Sequence, residues 1–569
     1  MNINLYLKNA HVFNVYLKKF IYANIAISGN QFLYIGAEKT PTVPDKIIDL
    51  QGKYVVPGMI DCHMHIESSM AAPRTFMKGS VKNGVTTLIA EPHEIANVFG
   101  LEGIRAMAET LKAGPADVYI AIPSCVPSTN EMLETTGAVI DSATVKEMMR
   151  MDHVICLGEV MNGHDLLKGP DTRTSRLVKQ VRAERPDFPL EGHLPRFLGW
   201  DLAQILFSGV GSDHTDQSLD TVKERIANGC FIQLQEKTLR SDIIRYLIDN
   251  NLFEHFAIVT DDTMPDAFIE RGTLNFLVKK AMKLGMTPEQ AIYAVTYTPA
   301  CHMGLRDKGS IAPGKIADFA IIDDPCNFNI LRTYCAGKEV YNHDTVEREK
   351  TDTSFPKHFY HSVHVPLLQE DSFCLSYNVA GNTKVRCRLL VVSRDTTFVK
   401  ESTVELPVRN HQIDWENSPY NLAVVIERHG KNGGRGYALV GGSCLKRGAA
   451  ATTYAHDHHN LLVIGQNKKD MTIAANTIIK NQGGYVAVLN DKIEAFAPLP
   501  IAGILSDQPL PVLGGQIKQV RQSLEQLGYE HNNVIMSLST LSLPVSPFFK
   551  LTDRGIIDVQ RQKIVPLMV

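Results

Sequence analysis

Over the first 50 residues, short apolar runs alternate with polar positions at a period of two. The runs are 3–7, 23–28 and 32–36, followed by IIDLQGKYVVPG, and SGNQ and PTVPD mark turns between them. This pattern predicts a small β-sheet unit. From about residue 56 the rhythm changes. β-rich runs at 55–61, 86–91, 118–123, 154–160, 190–193, 210–214, 231–235 and 256–260 alternate with helical-period stretches such as 176–184, 202–207, 219–227 and 243–249. Eight strand–helix repeats in roughly 250 residues predict an α/β fold, a (β/α)8 barrel over 56–304. A doubly wound open sheet is the alternative. A helix, MTPEQAIYAVTYTPACHMGL, follows, and KGSIAPGKIADFAIID then returns to the β pattern. Residues 305–345 are expected to join 1–55 in a small split β-sandwich domain. The polar stretch 343–356 reads as a linker. Residues 357–569 read as a C-terminal α+β domain, with strands at LLVVS, AVVIE and YVAVLN and helices at MTIAANTIIKNQ and GQIKQVRQSLEQLG.

Composition narrows the class without touching chemistry. Of 569 residues, 44% are hydrophobic and 21% charged, an ordinary globular balance. A net charge of −3, from 58 basic and 61 acidic residues, gives no support to a nucleic-acid or membrane-surface partner. No apolar run approaches the ~18 residues of a membrane span, and the first 20 residues lack the pattern of a signal peptide. Ten scattered cysteines without a CxxC pair suit a reduced, cytoplasmic setting. The 20 histidines are the odd count.

Several of those histidines sit at the C-terminal ends of the predicted strands. His63 and His65 follow the first in IDCHMHIESS, at i and i+2, where strand alternation puts both on one face. Glu159 ends the fourth strand, His193 the fifth, His214 the sixth and Asp261 the eighth. Any one of them alone is more simply a core or capping residue. A barrel, however, gathers all its strand ends at one mouth. Four imidazoles and two carboxylates exceed the three protein ligands of a single catalytic zinc, so two ions bridged by Glu159 are expected. With N and O donors, manganese, iron and zinc all suit. Such a pair acidifies a shared water, and Asp261 is placed to take its proton, so the reaction class is metal-assisted hydrolysis. In AHDHHN (455–460), His456, Asp457, His458 and His459 allow either a further metal site or a hydrogen-bonded loop at the barrel mouth, the second being preferred. GGRG (433–436) lacks the strand-to-helix context of a phosphate loop.

PGMIDCHMHIESS, the strand-end ligands and GSIAPGKIADFAIID resemble the amidohydrolase superfamily. GVTTLIAEPHEIANVFG, GEVMN, EGHLP, SDHT, VTDDTMPD, TYAHDHHNLLVIGQNKKDM and LTDRGIIDV are similar to bacterial-type adenine deaminases over nearly the whole chain. The resemblance implies two divalent ions, manganese or iron first and zinc next, bridged by a glutamate. It implies hydrolysis of adenine to hypoxanthine and ammonia by a metal-bound hydroxide in purine salvage, with Asp261 as proton shuttle. Proton delivery to ring N1 falls to Glu91, His93 or Glu236. Departures from the family pattern at LPRFLG, which brings in Arg196 as a substrate contact, and at LQEKT keep a related aminopurine or a cyclic amide as the alternative substrate. A homo-oligomer is expected by analogy.

Overall fold

The computed structural model describes residues 2–112, 114–345, 355–377 and 383–569. Most of the predicted linker, 346–354, lies outside them.

Three strands from the start of the chain, Leu5–Asn14, Lys19–Ser28 and Gln31–Gly36, form an antiparallel meander. Tyr54–Pro57 runs parallel to the first of them and pairs on its other edge with Phe319–Ile322. Ile330–Cys335 and Lys338–Asn342 extend the same eight-stranded sheet. The sequence pattern assigns 55–61 to one strand, but the structure divides this segment in two. Tyr54–Pro57 belongs to the small sheet, and Met59–Met64 opens the parallel array. The physical cause is local. Pro57 has no N–H with which to continue a ladder. A Cβ at Gly58 would lie 2.1 Å from Thr86 Oγ1, so only glycine makes this turn.

The eight parallel strands are Met59–Met64, Val85–Ala90, Asp117–Ile122, Val154–Val160, Leu190–Gly192, Ser212–Asp213, Phe231–Leu234 and Phe256–Ile258. The first five form one sheet and the last three another. Gly211 N–H donates to Leu190 O at 2.8 Å where the fifth strand meets the sixth. A parallel bridge between Met64 and Asp261 joins the end of the eighth to the first. Burial on both faces explains why these strands read as near-continuous apolar runs: Met59–Met64 and Val85–Ala90 are buried throughout. The helices predicted at 176–184, 202–207, 219–227 and 243–249 lie within Arg173–Glu184, Gly199–Ser208, Leu219–Ala227 and Ser241–Asp249. The helix predicted after the eighth strand is broken into Pro288–Ala294 and Tyr297–His302. Thr296, at φ −130° and ψ −73°, leaves the helical region between them, and Pro299 has no N–H to bond back across the break.

The C-terminal region builds a nine-stranded sheet that includes Lys384–Val392, Asn421–Ile426 and Gly484–Leu489. The helices Lys468–Lys480 and Leu510–Gln526 accompany it. It docks directly on the parallel array. Ser506 N–H donates to Met70 O at 2.7 Å, Asp553 accepts from Thr135 N at 2.9 Å and Thr135 Oγ1 at 2.6 Å, and Arg521 pairs with Asp266 at 2.6 Å. Among the described residues, no helix is long and apolar enough to cross a membrane.

Candidate metal centre

The residues at and just beyond the C-terminal ends of the parallel strands converge. His63 lies within the first strand, and His65 keeps an extended backbone (φ −117°, ψ 111°) before the single turn Ile66–Ser69. Both rings therefore face one side, with centroids 5.1 Å apart. Glu159 is the penultimate residue of its strand, His193 and His214 directly follow theirs, and Asp261 lies three residues beyond Ile258. Asp261 takes a left-handed backbone, φ 56°, while its N–H donates to His63 O at 3.2 Å. This turn aims the carboxylate at the histidines.

Two groups of donor atoms result. His193 Nδ1 and His214 Nε2 are 3.0 Å apart, and each approaches Glu159 Oε2, at 2.9 and 3.1 Å. On the other side, Asp261 Oδ1 lies 3.5 Å from His65 Nε2 and 3.8 Å from His63 Nε2, and Glu159 Oε1 lies 3.7 Å from His65 Nε2. Glu159 thus offers one oxygen to each group. The His63 ring stacks on His214 at 3.8 Å. Ligands about 2.1 Å from a tetrahedral ion stand roughly 3.4 Å from one another, so these separations suit metal ligation. Among the described residues, His63 Nε2 and Glu159 Oε2 are buried with no partner in hydrogen-bond geometry. Such atoms cost stability unless something else meets them. The donor set fits two divalent ions.

Charge couples the cluster. Burial opposes ionisation of Glu159 and Asp261, yet the surrounding imidazoles hold both below the usual carboxylate range. Burial alone would depress His214, but Glu159 raises it to about 9. His63 is driven well below the ordinary value by burial and by His214 and His65.

A further layer of buried polar residues fixes the ligands. Glu191 accepts from Ser212 Oγ and Gln233 Nε2, both at 2.7 Å, and lies 2.9 Å from His302 Nε2. Asp213 pairs with Arg225 and accepts from the N–H groups of Leu194 and Thr215. Asp61 accepts from Thr260 N and is raised to about 7 by burial. Glu91 is also raised to about 7 by burial, with Glu159 adding to the effect. Its Oε2 accepts the Glu159 N–H at 2.7 Å, and its main-chain oxygen lies 3.1 Å from His65 Nδ1. His93 stands edge-on to His65, with centroids 4.7 Å apart. Its Nδ1 faces Glu159 Oε1 at 3.6 Å and its Nε2 faces Glu94 Oε1 at 3.5 Å. Burial would lower His93, but Glu94 outweighs it and holds the imidazolium to about 10.

The other two predicted residues lie further out. Glu236 pairs with Arg271 at 2.8 Å and lines a cleft of about 660 Å³ shared with Asp261, Asp262 and Arg521. Arg196 stands over the rings of Phe398 and Phe548, at 4.4 and 4.9 Å, and so meets the C-terminal domain. Glu94 carries no signal in a strand-end search, because it meets the AHDHHN loop, where Asp457 was singled out, only when the C-terminal domain docks. Asp61, Glu191 and Asp213 could have been found, since each stands one or two places before a candidate ligand.

Residues 54–340 match the family model described as the amidohydrolase family. That match agrees with the parallel strands and the His/carboxylate cluster at their ends, and it sets the class as a metal-dependent hydrolase. Residues 396–563 match the adenine deaminase C-terminal domain. The chain is 46% identical over 571 residues to the adenine deaminase of Clostridium perfringens, with all of both chains covered. It is 45% identical over 572 residues to adenine deaminase 2 of Shouchella clausii, covering 100% of this chain and 99% of that one. A solved structure described as an adenine deaminase is 18% identical, with a TM-score of 0.45 over 60% of this chain and 100% of that one. The chain belongs to the adenine deaminase family.

Proposed function

We propose that the protein hydrolyses adenine to hypoxanthine and ammonia, acting in purine salvage in the cytoplasm, at the mouth of a barrel closed from the eight parallel strands. The split sheet and the C-terminal unit 357–569 form its two further domains. The observation that carries the reading is Glu159 between two pairs of imidazoles, one oxygen toward each, in a chain of this family. His63, His65 and Asp261 would hold one divalent ion, His193 and His214 the other, and Glu159 both. Manganese or iron leads, and zinc follows. Bound there, the ions supply Lewis acidity that brings the pKa of a water close to neutrality.

The chain's own groups do the rest. Asp261 borders the cleft, so its carboxylate can take a proton from water and return it to the departing amine. Of the three groups considered for N1, Glu236 alone lines that cleft. Its carboxylate, paired with Arg271, can relay the second proton of that water to N1 while Asp261 carries the first to the amine. Glu91 and His93 serve as positioning residues for Glu159 and His65. The test is ammonia release from adenine by the full chain loaded with Mn²⁺. Asp261→Asn should abolish turnover while ions stay bound. No ammonia with Mn²⁺, Fe²⁺ or Zn²⁺ would overturn the proposal.

A further inference from the structure

We infer that the interface between the parallel array and the C-terminal domain holds a third divalent cation, on His93, Glu94, His456 and Asp457. The two halves of this site come from distant parts of the chain. His93 and Glu94 open the helix His93–Leu111, directly after the second parallel strand. His456 and Asp457 come from the loop after Ala449–Thr452. One donor atom from each of the four falls in a single group, all mutually within 4.8 Å.

The separations suit ligands of a single ion. Glu94 Oε1 lies 2.7 Å from His456 Nδ1 and 3.5 Å from His93 Nε2. Asp457 Oδ1 lies 3.3 Å from His456 Nδ1 and 3.8 Å from His93 Nε2. Ligand atoms about 2.1 Å from one ion stand roughly 3.0 Å apart in octahedral and roughly 3.4 Å apart in tetrahedral geometry, within that spread. All four residues are at most 5% exposed. Of the four donor atoms, Glu94 Oε1 has no partner in hydrogen-bond geometry among the described residues, while His456 Nδ1 and Asp457 Oδ1 are within hydrogen-bond distance of each other. His459 Nε2 bonds the other Glu94 oxygen and so fixes that carboxylate. A divalent ion there would displace the protons that Glu94 holds on His93 and His456, and would cancel the −2 of the two neutral imidazoles and two carboxylates that remain. Mixed nitrogen and oxygen donors select a first-row transition ion over magnesium or calcium.

This site is separate from the six residues of the candidate centre, although it shares a wall with it through His93, whose Nδ1 faces Glu159. Its chemistry is that of a clamp: two ligands from the array and two from the C-terminal domain, joined by one ion. Removing it should free the loop, not merely lower turnover.

The test uses the full chain loaded with Mn²⁺ alone and then desalted. Metal analysis should give three equivalents. Anomalous scattering at the manganese edge should place one peak among His93, Glu94, His456 and Asp457. His456→Ala with Asp457→Asn should lose one equivalent and keep two. His63→Ala with His65→Ala should lose ions from the candidate centre and keep the interface peak, so the two sites fail independently. Two peaks at the candidate centre and none among these four residues would overturn the inference. So would three equivalents retained by the His456/Asp457 variant. Should that variant fold poorly, the peak map of the unaltered chain decides.

Discussion

Replacing Asp213 tests whether the candidate ligands are held by the layer behind them. The side chains of Asp213 and Arg225 are 0% and 1% exposed, and Arg225 Nε meets Asp213 Oδ2 at 2.5 Å. Arg225 also donates to Leu194 O at 2.7 Å. Asp213 Oδ1 accepts from Leu194 N at 3.2 Å and Thr215 N at 3.0 Å, and Oδ2 accepts from Gln217 Nε2 at 2.7 Å. The pair therefore ties the residue after His193 to the residues around His214. Asp213→Asn leaves a buried guanidinium without a counter-charge, at a cost of about 3–5 kcal/mol. Arg225→Met leaves the carboxylate with its remaining donors and removes two charge-assisted bonds, to Asp213 and to Leu194 O, at about 1.5–3 kcal/mol each. The double variant strands no charge, so its cost should fall at least ~2 kcal/mol below the sum. Hydrogen exchange of the segment 210–227 reads this locally. With a factor of ten per ~1.4 kcal/mol, Asp213→Asn should speed exchange there by roughly 150-fold or more. Metal affinity should drop by about 10- to 100-fold. Less than tenfold faster exchange, or strict additivity of the two single changes, would refute the reasoning.

Lys550 is buried with its Nζ on the carbonyls of Thr397 and Thr540, and burial pushes it down from 10.5 to about 7. The unfolded chain keeps this proton up to the higher value, so stability should rise as pH climbs from about 7 to 10.5. The gap, at about 1.4 kcal/mol per pH unit, amounts to about 5 kcal/mol. Lys550→Met should remove that slope, and equal slopes in thermal melts from pH 6 to 10 would count against it. A Cβ at Gly158 would lie 2.5 Å from the Glu91 carboxyl carbon. Gly158→Ala should therefore cost about 1–3 kcal/mol and lower metal content. An unchanged melting temperature and full metal content would show that Glu91 can move aside.

The eight parallel runs were legible in the sequence because each is short, apolar and bounded by turn residues. The six candidate ligands stood out because they follow those runs in order. Other features depended on information the local pattern does not carry. The break between Pro57 and Met59 depends on Thr86, a tertiary neighbour. The His459–Glu94 contact spans 365 positions, and no periodicity marks it. Arg225, within the predicted helical stretch 219–227, is buried against Asp213, a partner no local pattern points to. The nine strands of the C-terminal sheet were only partly anticipated, since some bury few positions, such as Val399–Arg409.

The split sheet has a consequence for synthesis. Tyr54–Pro57 finds its outer partner only in Phe319–Ile322, with Pro57 opposite Phe319. At roughly 5–20 residues per second, a ribosome needs on the order of 13–50 s to make the chain between them. Throughout that interval one edge of the nascent sheet stands open, and an open edge invites pairing with a neighbouring nascent chain. The order of emergence therefore leaves this seam open to mispairing until Phe319–Ile322 has been made.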